Sequence, residues 1–228
     1  MTGPGQDRPS GAEAPRIDRL DVGFAVLLGA VFVALKAAQR FFPALHIGLT
    51  LTNEAASLLV LGYILARARR APEKLDAWGL TTPLTPGALV SGFVLLVVAV
   101  AALAGLGLRA GGGLDFPPHY ATEMVEYIPG AFPQQFALCS VGLVSLSALP
   151  VFRGAWRLPL AVGLAFSLAH FWTPARIPGT LIPVQMVLTF PAGFFAAAYF
   201  LRHRTILPLT LIHAVSYPLL HHWIETRL

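Results

Sequence analysis

The segment from residue 88 to residue 108 constrains this chain most, because it carries no charged side chain. It consists largely of Val, Leu, Ala and Gly, and a helix of about twenty such residues matches the hydrocarbon core of a bilayer. Over the whole chain 56% of residues are hydrophobic and 12% are charged, about half the charge of an ordinary globular domain. Side chains of this composition cannot cover a water-facing surface, so we predict a membrane protein.

Six further apolar stretches extend this pattern and predict an all-α, polytopic membrane protein with about seven transmembrane helices. Residues 1–19, rich in Gly, Pro and mixed charge, are predicted to form a disordered cytoplasmic tail, and residues 20–228 a single transmembrane domain. The stretch 109–130, which contains Gly, Pro and acidic residues, is predicted to be a loop. The predicted spans are 20–36, 44–66, 88–108, 131–149, 156–172, 181–201 and 205–223.

The basic residues are scattered singly at segment ends, which indicates membrane topology and argues against nucleic-acid binding. With seven spans, eleven of the 16 Lys and Arg residues fall on the side of the N-terminal tail. The positive-inside rule therefore predicts a cytoplasmic N-terminus. Fourteen Arg against two Lys is typical of a GC-rich genome, so the expected location is the inner membrane of a bacterium.

Polar side chains inside a span are costly in lipid, so each one is a candidate functional residue. Pro133-Gln134-Gln135-Phe136 opens the fourth predicted span, with the proline in the first helical turn, where its missing N–H is harmless. The adjacent carboxamides point about 100° apart, so at least one should face neighbouring helices. The polar residues within the predicted spans include Asn53, Glu54, Gln134, Gln135, His170, Gln185 and His213.

Two histidines each lie four residues from an aromatic side chain. Phe166 and His170 stand at positions i and i+4 of the fifth predicted span, and His213 and Tyr217 do so in the seventh. Each pair therefore shares one helix face. A zinc site built on the two histidines lacks an obvious third protein ligand, and we predict neither a metal nor another cofactor.

These motifs resemble those of the glutamic intramembrane proteases of the CAAX-protease and bacteriocin-processing family. That family carries Glu-Glu-x-x-x-Arg, Phe-x-x-x-His and His-x-x-x-Asn/Asp on successive helices, and the resemblance covers about residues 74–220. Phe166 and His170 match the second motif, and His213 matches the start of the third. The departures are Gln134 and Gln135 at the glutamate pair, Cys139 at the arginine and Tyr217 at the Asn/Asp.

The resemblance implies a protease-like bundle with a motif-bearing core over about residues 131–223. Its substrate would be a C-terminal or membrane-adjacent segment of another protein, held in contact with membrane lipids. In the family a glutamate acts as general base on a water molecule, and a carboxamide cannot take that proton. The base must then come from a histidine, from Glu54, or from Glu123 or Glu126, which precede the fourth span and could reach its mouth. The resemblance implies catalytic roles for Gln134, Gln135, His170 and His213, and substrate contacts for Phe166, Cys139 and Tyr217.

Other functions are open at this stage. A non-catalytic relative would bind membrane segments as a chaperone, immunity factor or regulator. A lipid-modifying enzyme or a small-solute transporter would use the same polar cavity, although a transporter usually shows paired, broken helices in two halves. The glutamine pair also suits plain hydrogen bonding between helices, and Asn53-Glu54 suits a structural polar contact.

Overall fold

The computed structural model of the chain describes residues 18–42, 49–111, 113–152 and 154–228. Within these ranges the named elements are all helices, which confirms the predicted all-α class. In chain order they are α1 (Arg19–Phe41), α2 (Leu49–Arg70), α3 (Glu73–Ala77), α4 (Pro86–Arg109), α5 (Tyr120–Gln135), a π-helix (Phe136–Leu143), α6 (Val144–Ser147), a 3-10 turn (Pro150–Phe152), α7 (Arg157–Leu168), α8 (Val184–His203), α9 (Leu207–Leu220) and a second π-helix (His221–Glu225).

Three of the described helices are long and apolar enough to cross a membrane, namely α1 over Arg19–Gln39, α4 and α8. Every predicted span overlaps a helix, but the count of seven transmembrane helices remains a prediction. Residues 1–17 of the predicted tail and 44–48 of the second predicted span lie outside the described residues. Asp18 ends the tail earlier than predicted, because its side chain accepts a hydrogen bond from the backbone N–H of Leu20 and caps α1.

A group of ion pairs, here called the N-terminal network, joins the start of α1 to the end of α2 and to α3. The Lys74 ammonium lies 2.9 Å from a carboxylate oxygen of both Asp18 and Asp21. Arg67 pairs with the same two aspartates, and the Tyr63 hydroxyl donates to Asp21 at 2.5 Å. Asp21 is 1% exposed, so its charge is held by these partners rather than by water.

The segment between α3 and α4 is anchored to the bundle by Trp78. Its ring is fully buried and meets Phe136 edge-on at 5.3 Å between centroids. Its backbone carbonyl accepts a hydrogen bond of 2.7 Å from the Ser140 hydroxyl. The next residue, Gly79, has a φ of 71°, and a Cβ there would lie 2.7 Å from the carbonyl oxygen of Arg204. Only glycine suits both the conformation and the close approach.

Helix α5 begins at Tyr120, so the prediction of a loop over 109–130 is wrong for its last eleven residues. Pro129 and Pro133 both lie inside this helix, and Pro133 is therefore not in the first turn of its helix as predicted. Because Pro133 has no N–H, the Pro129 carbonyl lacks its usual helical donor. The hydroxyl of Ser57 on α2 donates to that carbonyl instead, which keeps this backbone group paired.

Helices α2 and α5 pack closely at Gly130. A Cβ on this residue would lie 2.7 Å from the side-chain Cγ of Asn53. Gly130 therefore provides the space that the Asn53 carboxamide fills between the two helices.

The helix that begins as α5 changes type directly after Gln135. Residues Phe136–Leu143 form a π-helix with i→i+5 hydrogen bonds, and α6 then continues to Ser147. Short π-helical segments inside α-helices are frequent at functional sites. This one holds Cys139 and Ser140 in the buried interior.

Helices α7 and α8 pack with their backbones close together, at Gly163 and Gly193. A Cβ on Gly193 would lie 3.0 Å from the Cα of Gly163, so small residues set this distance. Helix α9 packs against α4 and α5. The three helices that carry the polar motifs therefore surround one interior space.

Candidate functional site

Gln135, His170 and His213, here called the Gln–His cluster, line one cavity of about 250 Å³. They come from α5, from the residues just after α7, and from α9. The structure therefore brings together one polar residue from each of the three predicted motifs. Phe166 and Tyr217, for which the resemblance implies substrate contacts, line the same cavity.

The carboxamide of Gln135 fixes the tautomer of His213. Its Nε2 lies 3.1 Å from His213 Nδ1, and its Oε1 accepts a hydrogen bond from the Cys139 thiol at 3.8 Å. A carboxamide nitrogen can only donate, so Nδ1 of His213 is the acceptor. A neutral imidazole that accepts at Nδ1 carries its proton on Nε2. His213 therefore has an N–H left for a ligand.

His170 is held in the opposite tautomer. Its Nδ1 lies 2.7 Å from the backbone carbonyl oxygen of Phe166. A carbonyl only accepts, so Nδ1 carries a proton, and in the neutral imidazole Nε2 is then the bare nitrogen. The cavity is thus lined by one imidazole that can accept a hydrogen bond and by one that can donate.

Aromatic rings hold the two imidazoles in place. The Phe166 ring meets His170 and His213 edge-on, at centroid distances of 4.8 and 5.8 Å. Tyr127 contacts His213 at 5.6 Å and stacks on Tyr217 at 3.9 Å. Packing on several sides restricts rotation of the imidazoles, which is the condition for a preorganised site.

Gln134 is separated from its neighbour Gln135. Its Nε2 donates to the hydroxyl of Tyr127 at 3.4 Å, and it is not among the residues that line the cavity. Of the two adjacent carboxamides, Gln135 is therefore the one that faces the histidines. Cys139 likewise does not line the cavity and reaches it through Gln135.

Glu54 lies in a different place from the histidines. It lines a second cavity of about 610 Å³, together with Glu123, Glu126 and His221. Tyr217 lines both cavities, and Tyr127 lines the second. The stacked pair of tyrosines thus stands between the glutamates and the Gln–His cluster, and the structure does not bring Glu54 together with His170 and His213.

The donor set of the cavity does not make a metal centre within the described part of the chain. No group of three or more His, Cys, Asp or Glu side chains there is arranged to hold an ion. His170 and His213 alone fall short of the three protein ligands of a catalytic zinc site.

Further polar residues belong to the site and had no predicted role in it. Gln185 and Ser216 line the cavity, and Glu225 binds Gln185. Gln185 stood out in the sequence as a polar residue within a span. Ser216 resembled an ordinary packing residue, and Glu225 follows the last predicted span, so neither gave a signal.

The remaining walls of the cavity are apolar and belong mainly to α4 and α8, including Val98, Ala102, Pro191 and Phe195. These four residues are also exposed. Both helices are long and apolar enough to span a membrane. The Gln–His cluster is therefore accessible from a side of the bundle that would face lipid.

Comparison with protein-family models, with curated proteins and with solved structures finds no match for this chain.

Proposed function

We propose that this protein is an intramembrane hydrolase of the CAAX-processing protease type, which cleaves a C-terminal or membrane-adjacent segment of another protein. It would span the bacterial inner membrane about seven times, with its N-terminus in the cytoplasm. One observation carries the proposal: two imidazoles with opposite free functions, an acceptor on His170 and a donor on His213, line a single apolar-walled cavity.

The reaction uses these two functions directly. Nε2 of His170 takes a proton from a water molecule whose oxygen attacks the carbonyl carbon of the scissile amide. Nε2–H of His213 donates to the oxyanion that forms on the carbonyl oxygen. The carbon–nitrogen bond then breaks, and the proton held by His170 passes to the leaving nitrogen. The products are a carboxylic acid and an amine.

Gln135 has a positioning role in this scheme. A carboxamide cannot act as the base, but its N–H keeps Nδ1 of His213 as an acceptor. An ionised glutamate could only accept at this position and would favour the other tautomer. The Gln135 side chain is thus matched to a histidine that donates to an oxyanion.

A non-catalytic binding protein is the second candidate. It is favoured by the residues that line the cavity, none of which is a carboxylate in the described part of the chain. Such a protein would hold a membrane segment in the same place as a chaperone, immunity factor or regulator. The two functions differ in one observable, the appearance of a cleaved product.

The test is a cleavage assay in proteoliposomes with a library of peptides anchored by C-terminal apolar segments. The wild type is compared with His170→Ala, with the double variant Gln134→Glu/Gln135→Glu, and with His119→Ala. His119 is exposed at the start of α5 and lines neither cavity, so it controls for loss of a histidine.

Cleavage by the wild type and by His119→Ala, together with loss of cleavage in His170→Ala, is the result that the hydrolase proposal requires. Cleavage by the glutamate double variant alone would instead assign the natural protein to the binding class. If none of the four proteins releases a product from any peptide, the hydrolase proposal is rejected.

A further inference from the structure

Ser216 has a hydroxyl that differs from the other hydroxyls of the helices around it. Thr189 on α8 donates to the carbonyl oxygen four residues before it at 2.7 Å, and Thr210 on α9 does the same at 3.3 Å. The Oγ of Ser216 is buried and has no hydrogen-bond partner among the described residues. A buried polar group without a partner costs free energy, and this one belongs to a residue that lines the cavity.

Gln185 offers a hydrogen-bond acceptor, because Glu225 fixes the orientation of its carboxamide. Its Nε2 donates to Oε1 of Glu225, and Glu225 is itself held by His221, whose Nδ1 lies 3.2 Å from Oε2. The carboxylate only accepts, so the nitrogen of the carboxamide points to Glu225. The oxygen of Gln185 is then the atom left to accept a hydrogen bond in the cavity.

From these two residues we infer that the cavity contains a subsite for the backbone of an apolar peptide segment. Gln185 Oε1 accepts a backbone N–H of the segment, and Ser216 Oγ donates to a backbone carbonyl. The inference rests on the proposed function, since it assigns the occupant of the same cavity. It names the ligand class as an uncharged, amide-bearing chain.

The chemistry of the cavity separates this ligand from the other amphiphiles that a membrane offers. No Lys, Arg, Asp or Glu lines it in the described part of the chain, so a charged headgroup finds no counter-charge. An ester lacks the N–H that Gln185 would accept, although it still has a carbonyl for Ser216. An amide satisfies both residues, while the walls of α4 and α8 bury its apolar side chains.

Binding of matched peptides to the protein in nanodiscs tests the subsite. The probe is a fluorescent apolar peptide of Leu and Ala, compared with a series in which each backbone amide in turn is replaced by an ester. Empty nanodiscs give the background partition of each probe. The wild type, Gln185→Met, Ser216→Ala and Ser145→Ala are titrated.

Ser145 is the matched control, because its hydroxyl is also buried without a partner but does not line the cavity. For the wild type we expect an ester at one position to weaken binding about 3- to 10-fold. Gln185→Met should abolish that preference. Ser216→Ala should weaken binding of the amide and ester probes alike, also about 3- to 10-fold. Ser145→Ala should leave the binding of both probes unchanged.

A flat ester series for the wild type would overturn the inference without reference to any variant. Equal effects of Ser216→Ala and Ser145→Ala would overturn the role of Ser216. Binding with the expected ester pattern but without any cleaved product would reject the hydrolase and keep the subsite. Cleavage without amide preference would reject the subsite and keep the hydrolase. The two failures are therefore distinguishable.

Discussion

The N-terminal network and the Gln–His cluster both place polar side chains inside the bundle, but they satisfy them in different ways. In the network, Asp18, Asp21 and Lys74 each have opposite charges within 4 Å, while the Nε of Arg67 is buried without a partner among the described residues. The cluster contains no carboxylate or ammonium group, and its hydrogen bonds within the described residues leave one ring nitrogen of each imidazole unpaired. Full pairing stabilises a fold, whereas free donors and acceptors in a cavity are available to a ligand.

The largest effect on stability is expected from Asp21→Asn. This change leaves Arg67 and Lys74 with one carboxylate between them, and removal of one partner from a buried ion pair costs about 3 kcal/mol or more in the free energy of unfolding. Asp76→Asn on α3 is the control, since Asp76 is exposed and bonds to Thr82. Unfolding in detergent micelles measures both, and equal stability of the two variants would contradict the structural role of the network.

The next largest effect is expected from Gln135→Glu, and it should appear in ligand binding more than in stability. An ionised carboxylate accepts from Nδ1 of His213, so the proton leaves Nε2 and the cavity loses a donor. We expect about a tenfold loss in affinity for the apolar amide probe. Nitrogen-15 spectra of histidine-labelled protein should show the change of tautomer.

Gln134→Glu provides the control for this change, because Gln134 bonds to Tyr127 and not to His213. Its spectra should keep the His213 signals of the wild type. The same tautomer in Gln135→Glu as in the wild type would show that Gln135 does not set it.

A smaller effect is expected from pH, through Asp18 of the network. Burial raises the pKa of Asp18, but hydrogen bonds from Lys74 and the Leu20 N–H, with the charges of Lys74 and Arg67, outweigh it and lower that pKa below its usual 3.8. Its contribution to stability is therefore complete above the unfolded value and is lost as pH falls through the lowered one. Asp18→Asn should flatten the acid limb of the profile of unfolding free energy against pH. An unchanged limb would show that Asp18 does not contribute to it.

The smallest effect is expected from Cys139→Ala. The thiol is a weak donor, so its loss should change the free energy of unfolding by less than about 1 kcal/mol. The Gln135 carboxamide is then free to turn, and the nitrogen-15 spectra should show both tautomers of His213. Cys139→Ser keeps a donor and should keep one tautomer. A single tautomer in the alanine variant would show that Cys139 does not fix the orientation of the Gln135 carboxamide.

Hydropathy predicted the helices well, because long apolar segments need no tertiary information to be recognised. It failed over Tyr120–Gly130, where prolines and acidic residues are usual signs of a loop. The helix persists there because Ser57, on a distant part of the chain, supplies the donor that Pro133 removes. Because Ser57 and Pro129 are 72 residues apart, this hydrogen bond cannot be predicted from the local sequence.

The residues of the candidate site were predictable in part, and for a similar reason. The i,i+4 spacing identified His170 and His213, because that spacing is local in the sequence, although His170 lies just beyond the end of α7. The choice between Gln134 and Gln135 needed the packing of α5 against α9. Gln185 and Glu225 are 40 residues apart and became a pair only through the fold, so their joint role could not be read from either residue alone.

The π-helix over Phe136–Leu143 has a consequence for the length of this chain. A π-helical turn holds one more residue than an α-helical turn over the same hydrogen-bond ladder. A variant that lacks one residue here could form continuous α-helix and still keep Gln135 beside His213. We therefore expect a single deletion to be absorbed between Phe136 and Leu143, whereas the same deletion in α4 or α8 would rotate half of a wall away from the cavity.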